Sequence, residues 1–338
     1  MDENIQQIAL SVIVPCYNVE PYLDRTFRCL ERQWDGRTDY EIILINDAST
    51  DGTIDKLYAF QQRYPDNVVI IDKKVNAGAA ESRNSGLDVA RGQWIVFFDP
   101  DDALVDNGYA QLLDLTRGKD YDILSFEVEI VHDYEWKDSF TTTPTLITIE
   151  WEGSAREYML QNHYGTSIKF FFKRELLCGR RFKPLSFLED LVFVLPIFLS
   201  DAKVGLTNAK AYFYILRSSS ATNMIDSKRL NRGCDDILTA IQFMDECKQG
   251  HSDAIKARIG ERQQFYRLNL ITRLLLSNKN LNEIKRHHAA LDQLTVPKDA
   301  LTGKKIMIYN YLFDHPRMML MLRPLYRLVR LVHSWFLH

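Results

Sequence analysis

The first hundred residues alternate between two patterns of hydrophobic positions. Four short runs are almost continuously apolar, as expected of strands covered on both faces: Ala9–Pro15, Glu41–Asp47, Val68–Lys73 and Trp94–Asp99. Three stretches between them have helical character: Glu20–Gln33, Thr53–Tyr64 and Ala79–Ala90. This alternation predicts an α/β fold with a mostly parallel, Rossmann-like sheet flanked by helices.

Polar residues follow the predicted strands. In a parallel sheet with right-handed crossovers, the carboxyl ends of the strands meet at one edge, where ligands of open α/β sheets bind. Three polar segments are expected at that edge: Pro15–Asn18, Asn46–Asp51 and Asp99–Asp102. The sequence therefore predicts a ligand site there.

The pattern loosens after about residue 106. Two further strands are expected at Asp122–Val131 and Thr145–Trp151, antiparallel, with the Thr-rich stretch Ser139–Thr143 between them. A helix is expected at Ser154–Gln161, and Leu191–Leu199 is strongly apolar. Beyond about residue 224 the chain becomes helical and charged, with helices expected at Cys234–Lys248, Ala254–Leu276 and Leu281–Leu294.

Composition excludes several classes of protein. A formal net charge of −3 gives no general attraction to nucleic acid, so no nucleic-acid partner is expected. The five cysteines lack CxxC and CxxH spacing, which favours free thiols in a reducing compartment. The amino terminus is polar, and no run approaches 18 uncharged apolar residues. These observations predict a cytoplasmic protein without a signal peptide or membrane-spanning helix.

The segment Pro316–His338 is basic and apolar. It has no acidic residue, and Arg323, Arg327 and Arg330 fall at helical spacing on one face. A basic amphipathic helix with aromatic residues indicates contact with a membrane surface. The alternative is a helix that packs on the core with a solvated basic face.

Three aspartates follow the fourth apolar run: Asp99, Asp101 and Asp102. Adjacent carboxylates repel one another unless a cation lies close by. Mg²⁺ and Mn²⁺ accept a few carboxylates and complete their coordination with phosphate oxygens. The alternative is a turn in which Asp99 caps a following helix. The sheet context favours a Mn²⁺ or Mg²⁺ site.

Two other polar clusters lie in the same region. Asp47 has no obvious structural role and could accept a hydrogen bond from a nucleobase N–H. Arg83 follows the small residues 77–80 and suits phosphate oxygens. Its alternative is a surface salt bridge with Glu81 or Asp88.

Two adjacent acids, Glu189 and Asp190, lie between apolar runs. Partial desolvation raises the basicity of a carboxylate, which a general base requires. The alternative is an amino-terminal cap for a helix beginning at Leu191. The spacing alone does not choose between them.

Together these motifs resemble the family-two glycosyltransferases of the GT-A fold, over roughly residues 11–220. The segments that carry the resemblance are VIVPCYNVEPYL, LINDASTDGT, NAGAAESRNSGLDVARGQWIVFFDPDD, KRELL with RFKPLSFLED, and AYFYILRSSSAT. The resemblance implies a GT-A domain over 1–220, with a donor-binding part at 1–105 and an acceptor part at 106–220. A helical carboxyl-terminal region would occupy 221–338.

The resemblance also implies site residues. The nucleoside would be contacted by Pro15, Tyr17, Asp47 and Asn76. Arg83 would lie at the donor site, Asp99 at the ribose side, and Asp101 would bind the metal. The general base would be Asp190, with Glu189 beside it. Asp47 against the base implies UDP, because uracil N3–H is a donor. The family's Trp before KRELL is absent, with Ser167–Phe170 there instead, and QxxRW is missing.

These roles imply an inverting, metal-dependent transferase. A UDP-sugar would donate to a glycan or lipid-linked glycan, in bacterial cell-surface polysaccharide or glycolipid synthesis, at the inner face of the membrane if the basic tail binds there. A non-catalytic nucleotide-sugar-binding or scaffold protein of the same fold is the main alternative. A haloacid-dehalogenase-type phosphatase is disfavoured. Its motif has Thr or Val two residues after the second aspartate, whereas Asp102-Ala103 follow Asp101 here. A dinucleotide-dependent enzyme would need GxGxxG after the first strand, and the segment PCYNVE there contains no glycine.

Overall fold

The computed structural model describes residues 7–34, 36–133, 147–217, 227–294, 311–312 and 314–335. The chain divides into two compact units. The first comprises residues 1–184 and 189–221, and the second comprises residues 185–188 and 222–338. The predicted domain boundary between residues 220 and 221 lies outside the described residues, as does the Thr-rich stretch Ser139–Thr143.

The first unit is built on one mixed sheet. Its described strands are β1 (Leu10–Cys16), β2 (Tyr40–Asp47), β3 (Val68–Lys73), β4 (Trp94–Phe97), β5 (Ala103–Leu104), β6 (Ile123–His132), β7 (Ile149–Ser154), β8 (Phe170–Lys173) and β9 (Lys203–Leu216). They are ordered β3-β2-β1-β4-β8-β6-β9-β5, and β7 also pairs with β9. The first four strands are mutually parallel, which confirms the prediction. Strand β8 joins them antiparallel to β4.

Three details of the sheet differ from the sequence prediction. Strand β3 comes first in the sheet order, so it is only partly buried rather than covered on both faces. Strand β4 ends at Phe97, two residues earlier than predicted. Strands β6 and β7 run in opposite directions, but each pairs with the long strand β9 rather than with the other.

Most helices of the first unit agree with the periodicity, but the helix at Gly108–Leu115 was not predicted. The helices are α1 (Glu20–Glu31), α2 (Thr53–Arg63), α3 (Ala79–Val89), α4 (Gly108–Leu115), α5 (Ala155–Gln161) and α6 (Glu189–Phe198). Helix α5 begins with a capping box between Ser154 and Glu157. The apolar run after Asp190 forms the body of α6, where seven of its residues are buried.

Helix α3 packs very closely on the sheet. Gly86 makes this possible, because a Cβ at that position would lie 2.6 Å from Cγ2 of Ile13 in the central strand β1. A side chain there would push the helix away from the sheet. Close packing buries Arg83, one turn earlier on α3. The small residues of this segment therefore position a buried cation.

The described part of the second unit is mainly helical. Its helices are α7 (Ser227–Cys247), α8 (Asp253–Leu276), α9 (Leu281–Asp292) and α10 (Pro316–Trp335). Asn280 and Glu283 form a capping box at the start of α9. In the short segment 185–188, the Ser186 amide donates to the Asp236 carboxylate at 2.9 Å. The guanidinium of Arg273 lies 4.1 Å from the Phe187 ring centroid.

Helix α10 corrects one prediction about the basic tail. Arg323 is buried, and its guanidinium donates to the carbonyl oxygens of Leu274 (2.8 Å) and Lys279 (3.0 Å). Arg323 therefore helps to satisfy carbonyl groups at and beyond the end of α8 and does not lie on an exposed basic face. The side chains of Arg327 and Arg330 are outside the described part of the chain.

Two further expectations concern membrane spans and cysteines. Among the described residues, no helix has the length and hydropathy needed to span a membrane. No disulfide joins the five cysteines, all of which lie among the described residues.

Candidate active site

The carboxyl ends of β1 and β2 lie side by side. Cys16 is in register with Asn46, and Asp47 is in register with Lys73 of β3. We call the predicted nucleoside contacts Pro15, Tyr17, Asp47 and Asn76 the donor edge. Tyr17 and Asn76 are exposed, whereas Asp47 is buried.

Asp47 has a structural role that the sequence did not reveal. Its carboxylate accepts hydrogen bonds from the backbone amides of Ala77 (3.1 Å) and Gly78 (2.7 Å) and pairs with the Lys73 ammonium at 2.6 Å. The Asn76 side-chain amide donates to the Asp47 carbonyl oxygen at 3.1 Å. The sequence-based interpretation that Asp47 has no obvious structural role is therefore wrong. It anchors the loop that leads into α3.

Gly78 makes that loop possible. Its φ of 88° lies in the left-handed region, which residues with a Cβ adopt only at a cost. This conformation turns the amides of Ala77 and Gly78 toward one carboxylate. The segment Asn76–Gly78 therefore forms a turn that is held by hydrogen bonds to Asp47.

Arg83 joins carboxylates from distant parts of the chain. It is only 4% exposed, and it lies 2.9 Å from Asp99, 3.1 Å from Glu189 and 3.5 Å from Asp190. We call these four residues the Arg83 cluster. The alternative of a surface pair with Glu81 or Asp88 is wrong, because Arg83 is buried and Asp88 pairs with Arg181 instead. The cluster connects the predicted donor side to the predicted acceptor side.

An aromatic ring helps to hold the Arg83 guanidinium. Phe182 lies below it, with its ring centroid 5.5 Å from the Arg83 Cζ. The backbone of Phe182 exchanges two hydrogen bonds with the side chain of Asn84, the residue after Arg83. The cation is thereby held from α3 and from the segment before α6.

The Arg83 cluster carries more negative than positive charge. One guanidinium faces three carboxylates, which leaves a formal excess of two negative charges. Burial opposes the charged form of Arg83, but the three carboxylates outweigh it and raise the pKa of Arg83, so the guanidinium stays charged. Burial raises the pKa of Asp99 above its usual value in spite of Arg83. Burial and the neighbouring Asp190 raise the pKa of Glu189.

Asp190 is held by residues that sequence reasoning missed. Its carboxylate accepts from the hydroxyl of Ser167 at 2.9 Å, from the Ser167 amide at 3.2 Å and from the hydroxyl of Thr166 at 3.4 Å. Glu189 and Asp190 both lie in the first turn of α6, where the helix dipole stabilises negative charge. The sequence feature that could have identified these residues is the Thr-Ser pair just before the aromatic run of β8, in the segment where the family's Trp is absent.

The three aspartates after β4 have different environments. Asp102 points into the core, where it accepts from the Tyr212 hydroxyl at 2.6 Å and the Ile215 amide at 2.9 Å. Burial, with Asp101 and Asp99 nearby, raises the pKa of Asp102 well above its usual value. The helix-cap alternative for Asp99 is wrong, because the short strand β5 follows instead of a helix.

Asp101 is the carboxylate that could bind a metal. Its side chain is 38% exposed and pairs with Arg217, whose guanidinium also donates to the Asp101 carbonyl oxygen at 3.1 Å. The described residues contain no group of three or more His, Cys, Asp or Glu side chains that could enclose a metal. Mg²⁺ commonly binds through one or two carboxylates plus substrate phosphates. Asp101 fits that kind of site.

Comparison with known proteins identifies the family of this chain. Residues 11–178 match the family model described as Glycosyl transferase family 2. The chain belongs to glycosyltransferase family 2. This match covers β1, β2 and β4, which carry the donor edge and the aspartates, and extends past β8.

Two curated relatives show how far the similarity extends. The minor teichoic acid biosynthesis protein GgaB of Bacillus subtilis is 28% identical over 68% of this chain but only 25% of its own length. The cholesterol galactosyltransferase of Borreliella burgdorferi is 22% identical over 90% of this chain and 86% of its own length. The chain thus spans a quarter of the larger relative and most of the smaller one.

Solved structures show the same fold. The Staphylococcus aureus TarS fragment 1–349 in complex with UDP-GlcNAc has a TM-score of 0.61 at 18% identity, covering 92% of this chain and 88% of that one. The mannosyltransferase PcManGT from Pyrobaculum calidifontis, in complex with GDP-Man and Mn²⁺, has a TM-score of 0.53 at 14% identity, with 93% and 86% covered. The family-two chain has the GT-A fold that its motifs predict.

Proposed function

We propose that this chain is an inverting glycosyltransferase that moves a sugar from a UDP-sugar to a hydroxyl of a glycan or lipid-linked glycan, in the synthesis of bacterial cell-surface polysaccharide or glycolipid. Family membership and the relatives' activities support the reaction class. The observation that carries the proposal is the Arg83 cluster. It joins Asp99, after β4, to the acid pair at the start of α6.

The acid pair supplies the base in this proposal. Inversion at C1 requires the acceptor oxygen to attack from the face opposite the leaving diphosphate, while a base takes the hydroxyl proton. Asp190 is the proposed base, since Ser167 and Thr166 hold its carboxylate in a fixed orientation. The O–C1 bond forms, the bond from C1 to the diphosphate oxygen breaks, and the proton moves to Asp190.

The positive groups act on the leaving diphosphate. Breaking the bond leaves negative charge on the diphosphate oxygens, and a fixed cation stabilises that charge without needing a proton. Arg83 is the proposed protein group, because it stays charged and is held rigidly. Mn²⁺ or Mg²⁺ on Asp101 would add Lewis-acid stabilisation when bound.

The proposed nucleotide is UDP, with Pro15, Tyr17, Asp47 and Asn76 as its nucleoside contacts. TarS was solved with UDP-GlcNAc and PcManGT with GDP-Man, so the family fold accepts both kinds of base. Asp47 suits uracil, because its carboxylate can only accept a hydrogen bond and uracil N3–H is a donor. Guanine N1–H is a donor as well, so the nucleotide-sugar panel below decides between the two bases. The existing bonds of Asp47 to Lys73, Ala77 and Gly78 would hold it in place for that contact.

A panel of nucleotide-sugars tests donor and metal together. Thermal shift with UDP-, GDP- and CMP-sugars, with and without Mn²⁺, should show the largest stabilisation with a UDP-sugar and Mn²⁺. Asp101→Asn should lose the Mn²⁺-dependent part of the shift, whereas Asp253→Asn, on the exposed first turn of α8, should keep it. Full transfer in excess EDTA, or clearly stronger binding of a GDP- or CMP-sugar, would contradict the proposal.

We also propose that α10 holds the enzyme at an anionic membrane surface, through a different face from the predicted one. Met318, Met321 and Leu322 recur at helical spacing and are 39%, 79% and 38% exposed, next to the exposed Arg317. Exposed apolar groups beside a cation are typical of interfacial helices. The relative named a cholesterol galactosyltransferase acts on a lipid, which supports a lipid-linked acceptor for this chain.

Vesicle binding tests this surface. Met318→Glu/Met321→Glu should release the protein from vesicles that contain anionic lipid, because both charges would enter the interface. Val75→Glu is the control, since Val75 lies in the first unit and its 75% exposure is close to the 79% of Met321. Equal vesicle binding by wild type and the double variant would favour the alternative of a core-packing helix. Arg323→Glu is unsuitable as a test, because it would disrupt a buried contact.

A further inference from the structure

The environment of Asp101 contains an arginine that the proposed reaction does not use. Arg217 directly follows β9, and its guanidinium reaches both the carboxylate and the carbonyl oxygen of Asp101. The Arg217 side chain is largely buried, and its Cζ lies 4.5 Å from the ring centroid of Tyr22. The contact is therefore a packed one between three segments of the first unit, and not a loose surface ion pair.

A second arginine adds to the positive charge at this aspartate. Arg25 donates to the Asp101 carbonyl oxygen at 2.5 Å. Burial and the nearby Arg217 both lower the pKa of Arg25, so the two guanidinium groups repel each other. A divalent cation arriving at Asp101 would add two more positive charges beside them.

We propose that Arg217 occupies the cation position on Asp101 in the donor-free enzyme and must give way when a metal–nucleotide complex binds. This inference rests on the proposed metal role of Asp101. A bare cation competes directly with Arg217 for one carboxylate. A cation bound to a nucleoside diphosphate also brings phosphate oxygens, which offer the displaced guanidinium a new anionic partner.

The proposal predicts a coupling between cation and nucleotide. Without nucleotide, the wild-type enzyme should bind Mn²⁺ poorly. With UDP it should bind Mn²⁺ much better, because the phosphate oxygens of UDP replace Asp101 as the anionic partner of Arg217. Without Arg217 the cation no longer has a competitor, so UDP should improve Mn²⁺ binding less. Coupling of this kind is reciprocal, and it can be measured from either ligand.

Mn²⁺ titrations followed by the electron paramagnetic resonance signal of free Mn²⁺ test this directly. Arg217→Met should lower the Kd of Mn²⁺ without nucleotide by roughly tenfold, as expected for removing one competing charge from a partly buried site. With UDP present, the Kd should stay unchanged or rise. Arg217→Gln should change it in the same direction, and it decides the matter if Arg217→Met does not fold.

Two controls separate this effect from a general change of charge. Arg63→Met removes an arginine that also packs on an aromatic ring, with Phe60 at 5.2 Å, and pairs with Glu31 instead of Asp101. It should leave Mn²⁺ binding unchanged. Asp101→Asn/Arg217→Met should lose the gain of the single variant, since the gain depends on the freed carboxylate.

The possible results distinguish this inference from the proposed function. If UDP promotes Mn²⁺ binding that requires Asp101, and Arg217→Met still binds Mn²⁺ no better than wild type without UDP, only the role of Arg217 is wrong. If the gain persists in the double variant, the competition is not at Asp101 and the inference fails. If Mn²⁺ binding with UDP is the same in wild type and Asp101→Asn, both the metal role and this inference fail.

Discussion

The donor edge and the Arg83 cluster both contain a buried charged group, but their charges are balanced differently. At the donor edge, one carboxylate meets one ammonium and two backbone amides, so Asp47 is fully compensated. In the cluster, one guanidinium serves three carboxylates. Balanced charge is typical of a structural anchor, whereas an uncompensated excess with raised pKa values is typical of a catalytic centre.

This difference separates the ways in which the two regions should fail. A substitution at the donor edge should disturb a loop and the nucleotide that rests on it. A substitution in the cluster should disturb the reaction itself, because it removes either the cation proposed to act on the leaving diphosphate or the acid pair proposed to take the acceptor proton. The predictions below test that contrast.

Arg83→Met should have the largest effect. It leaves three carboxylates close together without their cation, and breaking a buried ion-pair network costs about 3–5 kcal/mol of the free energy of unfolding. Transfer should also be lost. Denaturant unfolding and a transfer assay measure both, with the surface variant Arg181→Met as the control. A stable and active Arg83→Met enzyme would remove the cluster from the mechanism.

Asp190→Asn should come next. The side chain keeps its size and its contacts with Ser167, but it can no longer take a proton, so transfer should fall roughly 10²–10⁴-fold. Donor affinity, measured by calorimetry, should hardly change, and Glu189→Gln should cost less activity. If Asp190→Asn is active and Glu189→Gln is inactive, the two roles are reversed. If both variants are active, the acid pair only begins a helix.

Asp47→Ala should weaken both the loop and the nucleotide site. The Lys73 ammonium and the amides of Ala77 and Gly78 lose their acceptor, so the free energy of unfolding should fall by about 1.5–3 kcal/mol. UDP affinity should fall as well, while the turnover rate at saturating donor should change little. The exposed pair of Asp24 with Lys56 supplies the control Asp24→Asn. Loss of turnover with normal UDP affinity would contradict the division between the two regions.

Glu189→Gln should produce the smallest effect, visible in the pH dependence of stability. Burial and Asp190 raise the pKa of Glu189, so the folded chain keeps its proton at a pH where the unfolded chain has released it. The raised pKa of Glu189 therefore contributes to the free energy of unfolding at low pH. This contribution is lost as the pH rises through the folded-state pKa of Glu189. Glu189→Gln should flatten this decline at pH values above about 4.3, the ordinary pKa of a glutamate. An unchanged slope would show that folding does not raise the pKa of Glu189.

Much of the fold followed from the sequence. The four parallel strands, the intervening helices and the polar strand ends were all predicted, because the period of apolar residues is a local property that the chain carries with it. The motifs around Asp47, Asp99 and Asp190 were also recognisable, since each lies at a strand end or a helix start. The sequence therefore predicted that these polar strand ends share one edge of the sheet, and the parallel pairing of β1 with β2 and β4 confirms it.

Only the tertiary structure decided which charges meet. Arg83 reaches Glu189 across 106 positions of sequence, and Arg217 reaches Asp101 across 116. Neighbouring aspartates diverged as well: Asp101 faces solvent and an arginine, whereas Asp102 faces Tyr212 in the core. Arg323, predicted on an exposed face, is buried against the end of α8. Hydrophobic periodicity determines which segments become strands and helices, but the partner of a polar side chain depends on the distant segments that pack beside it.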